Sequence, residues 1–220
     1  MKIHRIFLDI GLGGQKAFNF FCEKKIKEYC EKHNHEYLFW DNERCNDLLN
    51  KYPEYKFMYD NFRYGIMKCD FIRYLVLYEY GGLYIDCDVI INTDNIDTTH
   101  SIGFLKYNDK KLFDNGIIYS EKNNKDILLF FDEIKKNIME KNKIKVYDIW
   151  KARYVFQTIG HRASMRFFKN KDKNFYYAMS PEYVDLKKRK DLTSDDINNL
   201  IEKNKDKDFT ILPSLSWVGV

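Results

Sequence analysis

The sequence predicts an α/β fold on a parallel sheet, and three stretches carry that expectation. "KIHRIFLDI" (2–10) is a short apolar strand, "AFNFFCEKKIKEYCEKH" (17–33) spaces Phe18, Phe21, Ile26 and Tyr29 at roughly helical intervals, and "HEYLFWD" (35–41) reads as a second strand. Strand, helix and strand in that order form a parallel unit. A second helix over "IMKCDFIRYLVLYEY" (66–80) carries Phe71, Tyr74, Leu75 and Tyr78 at i, i+3, i+4, i+7, and Gly81 with Gly82 end it before the next strand.

The remaining elements follow in order. Gly11, Gly13 and Gly14 trail the first strand, but no Gly-Lys-Ser/Thr follows, and Lys16 stands where a dinucleotide-binding loop needs its third glycine. That loop is read as a plain turn, with a backbone-lined nucleotide edge as the alternative. "DNGIIYS" (114–120) is a turn into a strand, and Asn115 beside Gly116 is an ordinary turn pair. "KDILLFFDEIKKNIMEK" (125–141) is an amphipathic helix, "KARYVFQTIG" (151–160) begins another, and "TSDDINNLIEKNK" (193–205) opens with helix N-cap chemistry. The charge run "LKKRK" (186–190) is read as a solvated face.

At 220 residues, with 45% hydrophobic side chains and only three prolines, the chain is expected to form one domain over residues 1–220 with a core that needs neither disulfides nor structural metal. Lys plus Arg less Asp plus Glu is 37 − 33 = +4, too mild for a nucleic-acid footprint and suited to a small anionic ligand. The first residues are too briefly apolar for a signal peptide, and nothing approaches the ~20 apolar residues of a membrane span, so a cytoplasmic protein with no integral membrane segment is expected. Cys22, Cys30, Cys45, Cys69 and Cys87 are odd in number and contain no CxxC pair, which predicts reduced thiols. His33 and His35 are read as surface histidines.

The chemistry concentrates in "EYGGLYIDCDVI" (79–90). As one strand, its period of two sends Asp86 and Asp88 to the same side. Two carboxylates so placed repel and call for a cation between them. Hard carboxylate oxygens suit Mg²⁺ or Mn²⁺, which complete their shells with waters and substrate phosphates. A diphosphate is the ligand this combination would hold.

The string Lys68-Cys69-Asp70, Arg73-Tyr74-Leu75, Tyr78, Gly81-Gly82-Leu83-Tyr84-Ile85-Asp86-Cys87-Asp88 resembles the signature of DXD-containing glycosyltransferases of the family 32 type. That family includes yeast mannosyltransferases and bacterial capsule-type sugar transferases, and it is distantly similar to the clostridial glucosylating toxins. The likeness extends to "KIHRIFL", similar to an opening I-H-x-I-W with Phe7 for Trp, to "EYLFWDNER", to "FDNGIIYS" and to the "SLSW" at 214–217. Two departures stand out: no histidine precedes "SLSW", and "QTIGHRA" (157–163) carries Ile159 and no proline where the family has T-G-P.

The resemblance implies a GT-A fold, a Rossmann-like α/β/α sandwich with a mixed, mainly parallel central sheet, and transfer of a hexose from a nucleotide sugar with retention of configuration. It makes Asp86 and Asp88 the catalytic pair. Asp88 would hold Mn²⁺ or Mg²⁺ directly, Asp86 would face the ribose or sugar and the ion's water shell, and Ser214 or Ser216 would supply a further oxygen. Asp70, Arg73, Tyr84, Asn115, Ser216 and Trp217 join Asp86 in the nucleotide-sugar set. UDP-glucose or UDP-galactose is favoured as donor, a glycan or protein hydroxyl as acceptor, and polysaccharide biosynthesis as setting. Trp40 is read as core, Tyr84 as either core or site, and His161 as a surface or helix-capping residue with a compensating metal ligand as the alternative. The rival readings are a haloacid-dehalogenase-like phosphatase with Asp86 as nucleophile, which here would lack the motif's usual position on a first strand, and a catalytically silent sugar-nucleotide-binding module.

Overall fold

The structure is a computed structural model that describes residues 1–10, 20–107, 113–141, 151–179 and 193–212. In chain order the elements are β1 (Lys2–Ile6), α1 (Phe20–Lys32), β2 (Glu36–Trp40), α2 (Asn42–Asn50), α3 (Pro53–Asp60), α4 (Ile66–Tyr80), β3 (Gly82–Ile85), β4 (Val89–Ile91), β5 (Ile102–Tyr107), β6 (Phe113–Ser120), α5 (Lys125–Lys141), α6 (Lys151–Thr158), α7 (His161–Phe168), β7 (Asn174–Ala178), α8 (Ser194–Lys203) and β8 (Phe209–Ile211). The expected strand-helix-strand opening, the helix over 66–80 and the later helices are all present.

Six strands form one sheet in the order β2-β1-β3-β6-β5-β7. β1 runs parallel to β2 and β3, β5 runs parallel to β7, and β6 runs antiparallel to both of its neighbours, so five strands point one way and β6 alone opposes them. The sheet is mixed and mainly parallel, as expected. Strand alternation gives the sheet two covered faces. Tyr84, Ile118 and Phe104 face one core with Phe71 of α4, Phe130 of α5 and Phe168 of α7. Leu83, Ile85, Ile117 and Leu105 face the other core with Ile26 of α1.

That second face departs from a simple helical layer. β4 and β8 pair antiparallel as a separate two-stranded sheet, and their Val89, Ile91, Phe209 and Ile211 share the core of α1. The stretch 83–90 is therefore two strands and not one. β3 ends at Ile85, Val89 N–H closes a turn onto the Asp86 carbonyl at 3.3 Å, and β4 leaves the main sheet.

Two glycines set the start of β3. Gly81 ends α4 at φ 63° with its N–H on the Leu77 carbonyl, and Gly82 follows at φ 106°. A Cβ on Gly82 would lie 2.3 Å from the Lys2 carbonyl oxygen, so the close parallel approach of β1 requires glycine. His4, buried in β1, ties this corner together: Trp40 Nε1–H donates to His4 Nδ1 at 3.1 Å, and His4 Nε2–H donates to the Gly81 carbonyl at 2.8 Å. Burial lowers its pKa to about 4, consistent with a neutral ring serving both bonds. Trp40 is core, as expected.

The connections then decide where a ligand fits. α1 carries the chain from β1 to β2 across one face, whereas α2 to α4 return it to β3 across the other. β2 and β3 lie on opposite sides of β1, so the carboxyl ends of β1 and β3 flank a topological switch point, where open α/β sheets hold ligands.

Candidate active site

Helix α4 is buried along most of its length, and it carries two charges into that setting: Asp70 and Arg73, one turn apart. A buried guanidinium is tolerated only when its hydrogen bonds and charge are met. Arg73 Nη2 lies 3.1 Å from Asp70 Oδ1, and Nη1 lies 3.4 Å from Asp86 Oδ1 and donates to the Asn115 carbonyl at 2.6 Å. Nε donates to the Cys69 carbonyl at 3.3 Å, and the guanidinium stands 4.7 Å from the centre of the Tyr84 ring. One side chain thus gathers α4, the end of β3 and β6.

Tyr84 lies in the core with its hydroxyl at the edge of the cluster. Its ring is core, its hydroxyl donates to Asp86 Oδ1, and burial pushes its phenol well above the usual pKa, so it remains a donor. Asp86 keeps 38% of its side chain exposed. Its partial burial raises its pKa, with the charge of Asp114 adding to the rise, against the pull of Arg73 and Tyr84. Asp70 is raised to about 6 by burial, with Arg73 opposing and Asp86 and Asp114 adding to the rise.

Asn115 and Gly116 were expected in a turn, but they lie within β6. Against β5 the register jumps from Phe104↔Ile118 to Leu105↔Asp114, so 115–117 bulge where Phe104 and Leu105 are consecutive. The bulge aims Asn115 inward, where Nδ2 donates to Asp70 Oδ1 at 3.3 Å. It also brings Gly116 against the acids: its carbonyl accepts from Asp86 N–H at 2.8 Å, and a Cβ there would stand 2.9 Å from Asp86 Oδ2. Asp70, Arg73, Tyr84, Asp86 and Asn115 therefore meet in one cluster.

Asp88 sits half-buried at the far side of the turn, and its carbonyl accepts from Leu212 N–H at 2.9 Å. Ser214, Ser216 and Trp217 lie outside the described residues, as do Gly11 to Gly14 and the run at 186–190. The expectation that a strand's period aligns Asp86 with Asp88 is corrected: a turn carries them. Among the described residues no group of three or more His, Cys, Asp or Glu forms a metal cluster. The donor chemistry nonetheless fits a hard divalent ion, since Asp86 offers carboxylate oxygens beside a space that a Cβ on Gly116 would fill, and Asp88 adds a second carboxylate two residues on.

Two residues were missed by the sequence reading. Asp114 accepts from Gly116 N–H at 2.9 Å and adds a third negative charge facing Asp70 and Asp86. Arg5, buried in β1, donates to the Cys87 carbonyl in the middle of the turn. Neither has a local signal, because each acts through a long-range strand pairing. His161 opens α7 with its ring 4.4 Å from that of Phe156, and neighbouring Gly160 packs near Asp70. His33 and His35 are half-buried rather than on the open surface, His33 lying 3.1 Å from Asp94. The five cysteines are free.

Residues 19–103, which include α4 and both aspartates, match the family described as the glycosyltransferase sugar-binding region containing a DXD motif. This segment resembles the DXD glycosyltransferases. The chain is 36% identical over 124 residues to an uncharacterized glycosyltransferase of Acanthamoeba polyphaga mimivirus, covering 52% of this chain and 47% of the relative. It is 38% identical over 60 residues to inositol phosphoceramide mannosyltransferase 3 of Schizosaccharomyces pombe, covering 27% and 17%. The chain thus spans about half the length of the viral relative and less of the yeast one. Among solved structures, PaToxG glycosyltransferase aligns with a TM-score of 0.48 at 16% identity, over 92% of this chain and 74% of that one. A glycosyltransferase involved in the glycosylation of the major capsid of PBCV-1 aligns at 0.47 and 12% identity, over 97% and 94%. No described helix is long and apolar enough to cross a membrane.

Proposed function

We propose that the chain is a divalent-metal-dependent, retaining glycosyltransferase that moves a hexose from a nucleotide sugar to a hydroxyl of a glycan or other acceptor. The observation that carries this reading is the buried Arg73 hub, which joins Asp70, Asp86 and Asn115 at the carboxyl end of β3, beside the switch point of the sheet. The sugar-binding DXD family of residues 19–103 supports it.

Asp88, with Asp86 beside it and Ser214 as the further oxygen, would hold Mn²⁺ or Mg²⁺. When bound, such an ion supplies Lewis-acid stabilisation of charge on a diphosphate. The chain's own groups do the remaining work. Asp86, oriented by Tyr84 and Arg73, would accept a hydroxyl of the ribose or sugar, with Asn115 and Arg73 beside it. Ser216 and Trp217 would close over the diphosphate.

In the transfer the acceptor oxygen bonds to the anomeric carbon as the bond to the diphosphate breaks, and the acceptor proton passes to the leaving phosphate. Retention by front-face attack fits the described carboxylates. Asp70 and Asp86 are both paired to Arg73, which makes either a poor nucleophile, and the same pairing weighs against a phosphatase with Asp86 attacking phosphate.

We read the donor as a UDP-hexose. A mannosyl donor is the second reading, favoured by the inositol phosphoceramide mannosyltransferases among the relatives. Donor hydrolysis with Mn²⁺ tests the proposal: Asp88→Ala is expected to lose at least about 100-fold in turnover while its circular dichroism stays native, a loss typical of removing a key electrostatic stabiliser. Full activity of that variant, or of the wild type in chelator, contradicts it.

A further inference from the structure

Arg5 is wholly buried in β1, on the face that also presents Ile3. Burying a guanidinium costs several kcal/mol unless its charge is met, and an aliphatic side chain like that of Ile3 would fill the position without that cost. What distinguishes Arg5 is where its charge goes. Its Nη2 donates to the carbonyl of Cys87, the residue between Asp86 and Asp88. The Cys87 thiol donates to the Ile6 carbonyl at 3.3 Å, so β1 grips the turn by a second contact one residue further on.

The other sides of Arg5 are closed by α1 and β2. The Cys22 thiol lies within the fields of both Arg5 and Asp88, and the Tyr37 phenol stands between Arg5 and Glu23, donating to Glu23 Oε1 at 3.2 Å. The turn itself is held by few bonds of its own: Asp86 N–H to Gly116, Val89 N–H to Asp86, and Leu212 N–H to Asp88. Its middle peptide is anchored from β1.

We propose that Arg5 is a positioning residue for the DXD turn, fixing the Cys87 carbonyl so that the carboxylates of Asp86 and Asp88 are presented together to the donor site. It touches neither substrate nor ion; it acts through the turn. This inference rests on the donor site proposed above. Charge and anchoring make opposite predictions. If Arg5 mattered only as a nearby positive charge, removing it would tighten cation binding at the two aspartates; if it anchors the turn, removing it loosens binding.

The test compares wild type, Arg5→Met, Arg5→Gln and Arg5→Lys by Mn²⁺ titration followed by electron paramagnetic resonance, by donor KM and kcat, and by amide exchange of residues 86–91. Arg5→Met is expected to raise the Mn²⁺ Kd and the donor KM about tenfold and to speed exchange in 86–91. Arg5→Gln, which keeps an N–H donor without the charge, is expected to recover part of each. Arg5→Lys, which keeps the charge without the planar fork, is expected to recover less. Tighter or unchanged Mn²⁺ binding in Arg5→Met with exchange in 86–91 unaltered overturns the inference. Should Arg5→Met fail to fold, the Gln and Lys variants decide: wild-type Mn²⁺ affinity and exchange in both overturn it. A wild type that binds neither Mn²⁺ nor donor removes the proposed function and the inference with it, whereas a binding wild type with indifferent variants removes the inference alone.

Discussion

The guanidinium of Arg73 is met from three directions, by Asp70, by Asp86 and by the Asn115 carbonyl, so its loss would leave two acids facing each other. Arg73→Lys keeps the charge but cannot reach all three, and we expect donor kcat/KM to fall by about 10- to 100-fold with a lowered melting temperature. The Asp70 carboxyl gives a pH signature. Burial raises its folded pKa to about 6, above the unfolded value near 4, so the folded chain holds that proton more tightly. The stability it contributes is complete below about pH 4 and is lost as pH rises through about 6. Urea midpoints between pH 4 and pH 7 should therefore drop with pH more steeply for wild type than for Asp70→Asn, and parallel profiles would contradict the raised pKa. Asp70, Arg73 and Asp86 were legible because their motif is local, a helix turn and the strand after it. Arg5 and Asp114 were not, because their relation to the acids exists only once β1 lies beside β3 and β6 bulges.

At the scale of elements, the helix over 66–80 and its glycine stop were legible from period and from the φ > 0 requirement, and the capping box of Thr193 with Asp196 bears out the N-cap at α8. The strand over 83–90 was misread for a physical reason. Its apolar residues alternate on both sides of Asp-Cys-Asp, which contains neither glycine nor proline to mark the turn, and only the pairing of β4 with β8 separates the halves. Gly82→Ala forces a Cβ to 2.3 Å from the Lys2 carbonyl oxygen, and we expect a destabilisation above about 2 kcal/mol in denaturant unfolding. Gly116→Ala is a different case: the atom it meets is Asp86 Oδ2 at 2.9 Å, a side chain that can move. Its stability cost should be small while donor kcat/KM drops about tenfold; wild-type kinetics would show that the bulge does not set the acid's position.

For the whole molecule, the order of strands does most to locate function. The opening strand-helix-strand unit announced a parallel sheet, but the switch point at β1 and β3 depends on α1 and α4 covering opposite faces, which no local pattern encodes. The small β4–β8 sheet likewise joins segments more than a hundred residues apart, and it brings Leu212 N–H onto the Asp88 carbonyl. A metal and a donor assembled at this place would stabilise the folded chain by mass action, by about 2.7 kcal/mol when ligand is at 100 times its Kd. The most direct test is thermal unfolding of wild type and Asp88→Ala with UDP-glucose, UDP-galactose or GDP-mannose, each with Mn²⁺ and with chelator. The account predicts that at least one donor raises the wild-type melting temperature in Mn²⁺ alone and leaves Asp88→Ala unchanged; equal stabilisation of both proteins in chelator, or none by any donor, would contradict it.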